Sequence, residues 1–136
     1  MSREDGDIYE QQAEEICLAL GYQVIRPSVG NQHSWDRIIN GKKVQIKKRG
    51  VDASKPNNIR LVTSRTSSEV VYKSSDVDFF AIFWSQRWFV IPSDVLADNQ
   101  GDIPNGLHMP SIANYQRRWD LLAGGRVVHE VQSVMF

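Results

Sequence analysis

Trp35-Asp36-Arg37-Ile38-Ile39-Asn40-Gly41-Lys42-Lys43-Val44-Gln45-Ile46-Lys47-Lys48 is the stretch from which the chain is best read. Asn-Gly is the preferred pair for a two-residue type I′ hairpin turn, because both central residues must take a positive φ. Counting outward sets Ile39 against Lys42, Ile38 against Lys43, Arg37 against Val44 and Asp36 against Gln45. Side chains alternate along a strand. Asp36, Gln45 and Lys47 are therefore expected on one side of the sheet. Arg37, Ile39, Val44 and Ile46 are expected on the other, the core side. A carboxylate, an amide and a lysine on one face can do chemistry. Aspartate is a hard oxygen ligand suited to Mg²⁺. A lysine beside a metal can stabilise charge developing on a phosphate, or help orient and deprotonate a water.

Upstream, a helix is expected from Asp7 or Ile8 to Leu20. Asp7 is placed to cap it, with Glu10 three residues later as in a capping box. Tyr9, Ala13, Ile16, Cys17 and Leu20 make its apolar stripe, and Gly21 suits the residue after its end. Glu10 lies roughly 75° from the stripe centre at ~100° per residue, a boundary position able to look along the sheet surface. A short strand follows at Gln23–Arg26, ended by Pro27. Downstream, Gly50–Asn58 reads as a polar loop and Ile59–Thr63 as a strand. The Ser- and Thr-rich stretch Ser64–Ser75 gives no clear conformation. Val77–Trp84 reads as a buried strand that turns at Ser85-Gln86-Arg87 into a partner, Trp88–Ile91. Pro92 suits the first position of a short helix. Ala97–Leu107 reads as a loop. A last helix is expected from Pro110 or Ser111 to Leu122, with Ile112, Tyr115, Trp119 and Leu122 inward and Gly124-Gly125 as its stop. Val127–Val134 reads as a terminal strand or an irregular tail.

The chain has 136 residues, with 16 basic and 16 acidic side chains. That length suits one domain with a real core. No apolar run approaches the ~18 residues of a membrane helix, and the acidic start shows no signal-peptide pattern. Cys17 is the only cysteine, which rules out an intramolecular disulfide and points to an intracellular, reducing setting. The zero net charge is unevenly spread: residues 1–25 carry −5, residues 26–65 carry +8 and residues 66–136 carry −3. A +8 stretch suits a polyanion partner, and equally a solvated basic face.

Glu10, Asp36 and Gln45-Ile46-Lys47, in that order, resemble the active-site signature of the PD-(D/E)xK nuclease superfamily. The likeness is closer to its group I intron homing endonuclease branch, where Gln replaces the second acid. "LALGYQVIRP", "GNQHSWDRIINGKKVQIKKRG", "SSDVDFFAIFWSQRWFVIPSDV" and "NYQRRWDLL" resemble successive segments of that branch, covering roughly residues 7–122. Trp35 stands where the motif name has Pro, and Gln45 where it has an acid. A neutral amide offers a metal less charge, which leaves the metal count and affinity open.

The resemblance implies an α/β chain of the restriction-endonuclease-like fold, with a central mixed β-sheet of about five strands flanked by α-helices. Residues 1–136 form one domain in this reading, with 123–136 a C-terminal extension. It implies an Mg²⁺-dependent DNA endonuclease, with Mn²⁺ able to substitute, cutting both strands of a specific site in the homing manner. Glu10, Asp36, Gln45 and Lys47 are the implied catalytic set, and Asp36, Glu10, Gln45 and the Ile46 carbonyl the implied metal ligands. Lys48, Arg49, Lys55, Arg65, Ser67, Arg117 and Arg118 are candidate DNA contacts. One site per chain implies a homodimer or homotetramer on double-stranded DNA, in the cytoplasm at the nucleoid. The rivals are a junction resolvase, a restriction-type nuclease and a DNA-binding module without catalysis. Glu10 can also be only a capping residue, and Asp36 and Lys47 only an exposed ion pair worth ~0.2–1 kcal/mol. His33, just before Asp36, reads as a loop histidine contacting phosphate or solvent, since the family needs no catalytic histidine; His108 and His129 have no partner pattern, and Cys17 suits a small core position.

Overall fold

The Asn40-Gly41 turn forms as its residues require. In the computed structural model, which describes residues 3–27, 35–62 and 70–125, Asn40 has φ 51° and Gly41 φ 81°. The turn joins β2 (Arg37–Ile39) to β3 (Lys42–Arg49). The register is Arg37 against Val44, Ile38 against Lys43 and Ile39 against Lys42, as counted from the sequence. The turn is also a junction. The Asn40 side chain accepts a bond from the Gln23 N–H at 3.0 Å and donates one to the Leu122 carbonyl at 3.2 Å. It thereby ties the segment after the first helix and the segment at Leu122 to the hairpin.

β1 (Val24–Ile25) pairs antiparallel with β2. On the other side β3 pairs in parallel with β6 (Phe79–Trp84), and β6 pairs antiparallel with β7 (Arg87–Pro92). The result is a mixed sheet of five strands in the order β1-β2-β3-β6-β7. β6 is apolar throughout because it is buried on both faces; Phe80, Ala81 and Ile82 are fully buried.

One face is covered by α1 (Arg3–Ala19) and by a 3₁₀ turn, Trp119–Ala123. Tyr9 stacks near Phe83, Phe83 near Trp88, and Trp88 near Trp119, with ring centroids 5.0 to 5.5 Å apart. The Trp88 indole N–H donates to Gln12 at 3.2 Å. The opposite face is covered by two ribbons: β4 (Asn58–Arg60) with β9 (Gly106–His108), and β5 (Val70–Lys73) with β8 (Asp102–Pro104). Ile59, Leu61, Ile103 and Leu107 close this side of the core. Among the described residues no helix is long and apolar enough to cross a membrane.

Several local expectations change. α1 begins at Arg3, so Asp7 lies inside the helix rather than at its N-cap. Acidic residues are favoured throughout a first turn, so the acid-rich lead-in extends the helix. Its end is as read: the Tyr22 N–H bonds to the Cys17 carbonyl and Gly21 to Leu18, with Gly21 at φ 82°, a Schellman motif. Leu20 falls in that turn and is exposed. Pro92 ends β7 and stands at the N-cap of α2 (Ser93–Leu96), one residue before the helical position expected for it. The expected loop Ala97–Leu107 contains β8 and the start of β9. The last helix is broken into α3 (Met109–Ile112), a 3₁₀ turn at Ala113–Tyr115, and the 3₁₀ turn at Trp119–Ala123. Between them Gln116 bridges to Phe89, and Arg117, at φ 56°, gives its N–H to the Trp88 carbonyl at 2.9 Å. The chain leaves the helical ladder to cover the edge of β7, yet Ile112, Tyr115, Trp119 and Leu122 are still buried. Thr63, Ser64–Glu69, His33, His129 and the tail Val127–Val134 lie outside the described residues.

Asn40→Ala removes two side-chain hydrogen bonds and puts a residue ill-suited to positive φ in the turn. It is expected to lower the folding free energy by about 3 kcal/mol. Urea unfolding at neutral pH measures this as a lower midpoint with an unchanged slope.

Candidate active site

The site forms where one strand outruns its neighbour. β2 begins at Arg37 while β3 runs on to Arg49. Past the end of β2 the next inward N–H of β3, that of Ile46, would lack a ladder partner. The Asp36 carboxylate takes that place: the Ile46 N–H donates to Asp36 Oδ2 at 2.7 Å, while the Asp36 N–H donates to the Val44 carbonyl at 2.8 Å. An N–H of a strand points in the sheet plane, so the carboxylate that receives it sits at the notch between the strands.

Oδ1 of Asp36 has no hydrogen-bond partner among the described residues. Burial pushes the Asp36 carboxyl above its ordinary pKa, against the opposing pull of the Ile46 N–H, Lys47 and Arg37. A partly desolvated carboxylate with an open oxygen is a place where a cation is welcome.

Lys47 follows from β3 on the face away from α1. Burial pushes its ammonium down to about 8, with Arg49 adding to the effect and Asp36 and Glu10 opposing it. Its Nζ lies 5.8 Å from the centre of the Tyr72 ring, on β5. Gln45 is half-buried on the same face, and its amide makes no hydrogen bond among the described residues.

Glu10, on α1, is linked to the hairpin through an arginine. Arg37 is buried, with 8% of its surface exposed. Its Nη1 donates to Glu10 at 3.3 Å and to the Asp36 carbonyl at 2.8 Å, and its Nε donates to Glu14 at 2.8 Å. Glu14 also receives two bonds from Arg26, at 2.9 and 2.7 Å. The arginines, Arg26 first, hold the Glu14 carboxyl down at about 2 against the opposing effect of burial. Arg37 was read as a core-side residue and is one, but as a buried ion-pair member that fixes the helix acids against the hairpin. Its signal was a charged residue in an inward slot of the register, which requires a buried partner.

The other candidates are dispersed. Lys48 points to the α1 face, its Nζ 5.9 Å from the Tyr9 ring centre. Arg49 is turned inward: Nε donates to the Arg60 carbonyl at 2.7 Å, Nη1 to its neighbour Lys48, and Nη2 to the Leu61 carbonyl. It clips β4 to β3, with three of its five N–H donors given to backbone carbonyls. Lys55 is exposed and lines, with Arg49, Gly50, Asp52, Asn58 and Arg60, a groove of about 260 Å³ beyond the end of β3. Arg117 is exposed and Arg118 pairs with Asp120 at 2.9 Å, both by the β7 edge, two strands from β3. Arg65 and Ser67 lie outside the described residues. His108 is exposed on β9, and Cys17 is fully buried, with burial pushing its thiol up to about 12. Tyr72 was missed, since nothing in Ser64–Ser75 announces a strand.

Among the described residues no three His, Cys, Asp or Glu side chains gather where they could share a metal ion. A divalent ion at the notch would rely on Asp36, with Glu10, the Gln45 amide and the Ile46 carbonyl as further oxygen donors. That set suits Mg²⁺, which commonly uses one or two carboxylates plus water and substrate phosphate.

Residues 1–105 match the family model described as PD-(D/E)XK endonuclease. No curated protein matches the chain. Among solved structures the fold superposes on a bacterial homing endonuclease, I-Ssp6803I, with a TM-score of 0.70. The match covers 90% of this chain and 93% of that one at 22% identity. A likeness at that identity bears on fold, and it agrees with the restriction-endonuclease-like arrangement read from the sequence.

Glu14→Gln would leave Arg37 buried with one fewer negative partner, at an expected cost of about 3 kcal/mol at pH 7. The folded pKa of Glu14 is about 2, below its ordinary 4.5. Its stabilisation is therefore complete above about pH 4.5 and fades as the pH falls toward 2. The stability gap between wild type and variant, from urea unfolding at several pH values, should shrink over that window.

Proposed function

The chain belongs to the PD-(D/E)XK endonuclease family, and from that premise we propose that it is an Mg²⁺-dependent DNA endonuclease, with Mn²⁺ able to substitute. Residues 7–122 serve as one catalytic domain. The observation that supports this reading best is the seating of Asp36 at the notch on the Ile46 N–H, beside Lys47. The carboxylate is fixed by backbone rather than by a flexible partner, and it keeps an oxygen for a cation.

Asp36 and Glu10 would hold the ion, with Gln45 and the Ile46 carbonyl completing the protein's share. When bound, Mg²⁺ supplies positive charge to the scissile phosphate and makes a nearby water easier to deprotonate. Lys47 approaches from the other face with its N–H donors available. It would donate to a non-bridging phosphate oxygen and stabilise the charge that builds there as the water attacks. Gln45 would orient that water through its amide. Arg37 would tie Glu10 to the hairpin, since it bonds both Glu10 and the Asp36 carbonyl.

Site-specific cleavage of both strands in the homing manner is the fuller reading, supported by the structural likeness to a bacterial homing endonuclease. One site per chain then calls for a homodimer or homotetramer on a target with two-fold character. Lys48, Arg49, Lys55, Arg65, Ser67, Arg117 and Arg118 are the proposed DNA contacts. Arg49 contributes by holding the β4 end of the groove. Gln45 favours one rival, a DNA-binding module that has lost catalysis. Salt-dependent DNA binding without cleavage in Mg²⁺ or Mn²⁺ would select that rival.

Supercoiled DNA bearing candidate sites should be linearised in Mg²⁺ and left intact in EDTA. Asp36→Asn and Lys47→Ala should each lower the cleavage rate by about 10³-fold with unchanged unfolding midpoints or better. Full activity in either folded variant contradicts the assignment.

A further inference from the structure

We propose that Tyr72 is a positioning residue for Lys47, its ring face holding the ammonium toward the notch without consuming its N–H donors. This rests on the nuclease reading of Lys47.

A lysine side chain has four rotatable bonds, and something must restrict it if its ammonium is to meet a phosphate. A carboxylate or carbonyl would do so by accepting its N–H groups. Lys47 has no such partner: among the described residues its Nζ makes no hydrogen bond and no ion pair within 4 Å. Its neighbour is the Tyr72 ring, with Nζ 5.8 Å from the centroid, within the reach of a cation–π contact. That attraction acts on the charge as a whole. Three donors remain to be directed at substrate.

The ring is itself held in place. It meets Phe80 edge-on, with centroids 5.2 Å apart and planes at 75°. Phe80 is fully buried and stands beside Gln45 in the parallel ladder of β3 and β6. The backbone of Tyr72 is fixed by pairing with Ile103 on β8, which is also fully buried. The ribbon of β5 and β8 therefore does more than cover the core. It brings one aromatic face over the candidate catalytic lysine, from a segment far from the motif in sequence.

The test uses the full chain with DNA that it cleaves, under single-turnover conditions. Tyr72→Phe keeps the ring and should cleave within about threefold of wild type. Tyr72→Leu keeps the apolar bulk but removes the ring, and should slow cleavage about 10- to 30-fold. Its DNA affinity, measured in Ca²⁺, should be unchanged. Wild-type cleavage by Tyr72→Leu overturns the proposal. So does an equal loss in Tyr72→Phe, which would assign the effect to the hydroxyl. The Lys47 ε-methylene proton resonances give a second measure that does not depend on cleavage or on the Leu variant folding. They should be shifted upfield by the ring in wild type and Tyr72→Phe alike, and their absence from that position overturns the contact. A wild-type chain that shows this shift yet cuts no DNA in Mg²⁺ or Mn²⁺ refutes the nuclease reading and the catalytic part of the proposal, while leaving the contact standing.

Discussion

The register of β2 against β3 is the constraint on which the rest of the structure depends. A slip of one residue would turn every side chain of one strand to the other face. Arg37 would lose Glu14, and the apolar pair Ile39 and Val44 would no longer share the core side. Asp36 would no longer meet the Ile46 N–H. The register is fixed by local chemistry, since Asn40 and Gly41 accept the positive φ values of the turn. It is reinforced from a distance by the bonds from Asn40 to Gln23 and Leu122.

A second consequence is the way the helix acids are held. Burying Arg37 removes it from water, and a buried ion pair is rarely a net source of stability. Its use here is geometric. One guanidinium touches Glu14, Glu10 and the Asp36 carbonyl, so the helix cannot shift along the sheet without breaking a charged contact. The candidate metal-binding acids come from different elements, and Arg37 is the physical link between them. The far face is built differently. There the ribbon of β5 and β8 presents Tyr72 to Lys47, and Arg49 fastens the end of β3 to β4.

What the sequence made legible was what local chemistry decides. The hairpin could be read because turn type and alternation act over a few residues. The end of α1 could be read because Gly21 is suited to the conformation there. The buried strand β6 announced itself by a continuous apolar run. Of the ribbons only β4 could be placed, since Ile59–Thr63 reads as a strand and β4 runs Asn58–Arg60. β5, β8 and β9 are three or four residues long and pair across 29 or more positions, so their stability comes from partners that no short window contains. The last helix misled because its apolar stripe was correct while its backbone was not. Capture of Arg117 by the β7 edge is a tertiary event. At the site, Asp36, Gln45 and Lys47 came from alternation and the resemblance together. The seating of the carboxylate on the Ile46 N–H depends on β2 ending where it does, and Tyr72 depends on a ribbon the sequence did not reveal.

If Asp36 and Lys47 act as proposed, a divalent ion and the scissile phosphate meet at the notch between β2 and β3. An anomalous difference map of a crystal with bound DNA and Mn²⁺ would locate both. A Mn²⁺ peak bonded to an Asp36 oxygen is expected, with a DNA phosphate within hydrogen-bonding reach of Lys47 Nζ. DNA bound with its backbone away from Asp36 and Lys47, and no Mn²⁺ at the notch, would contradict it.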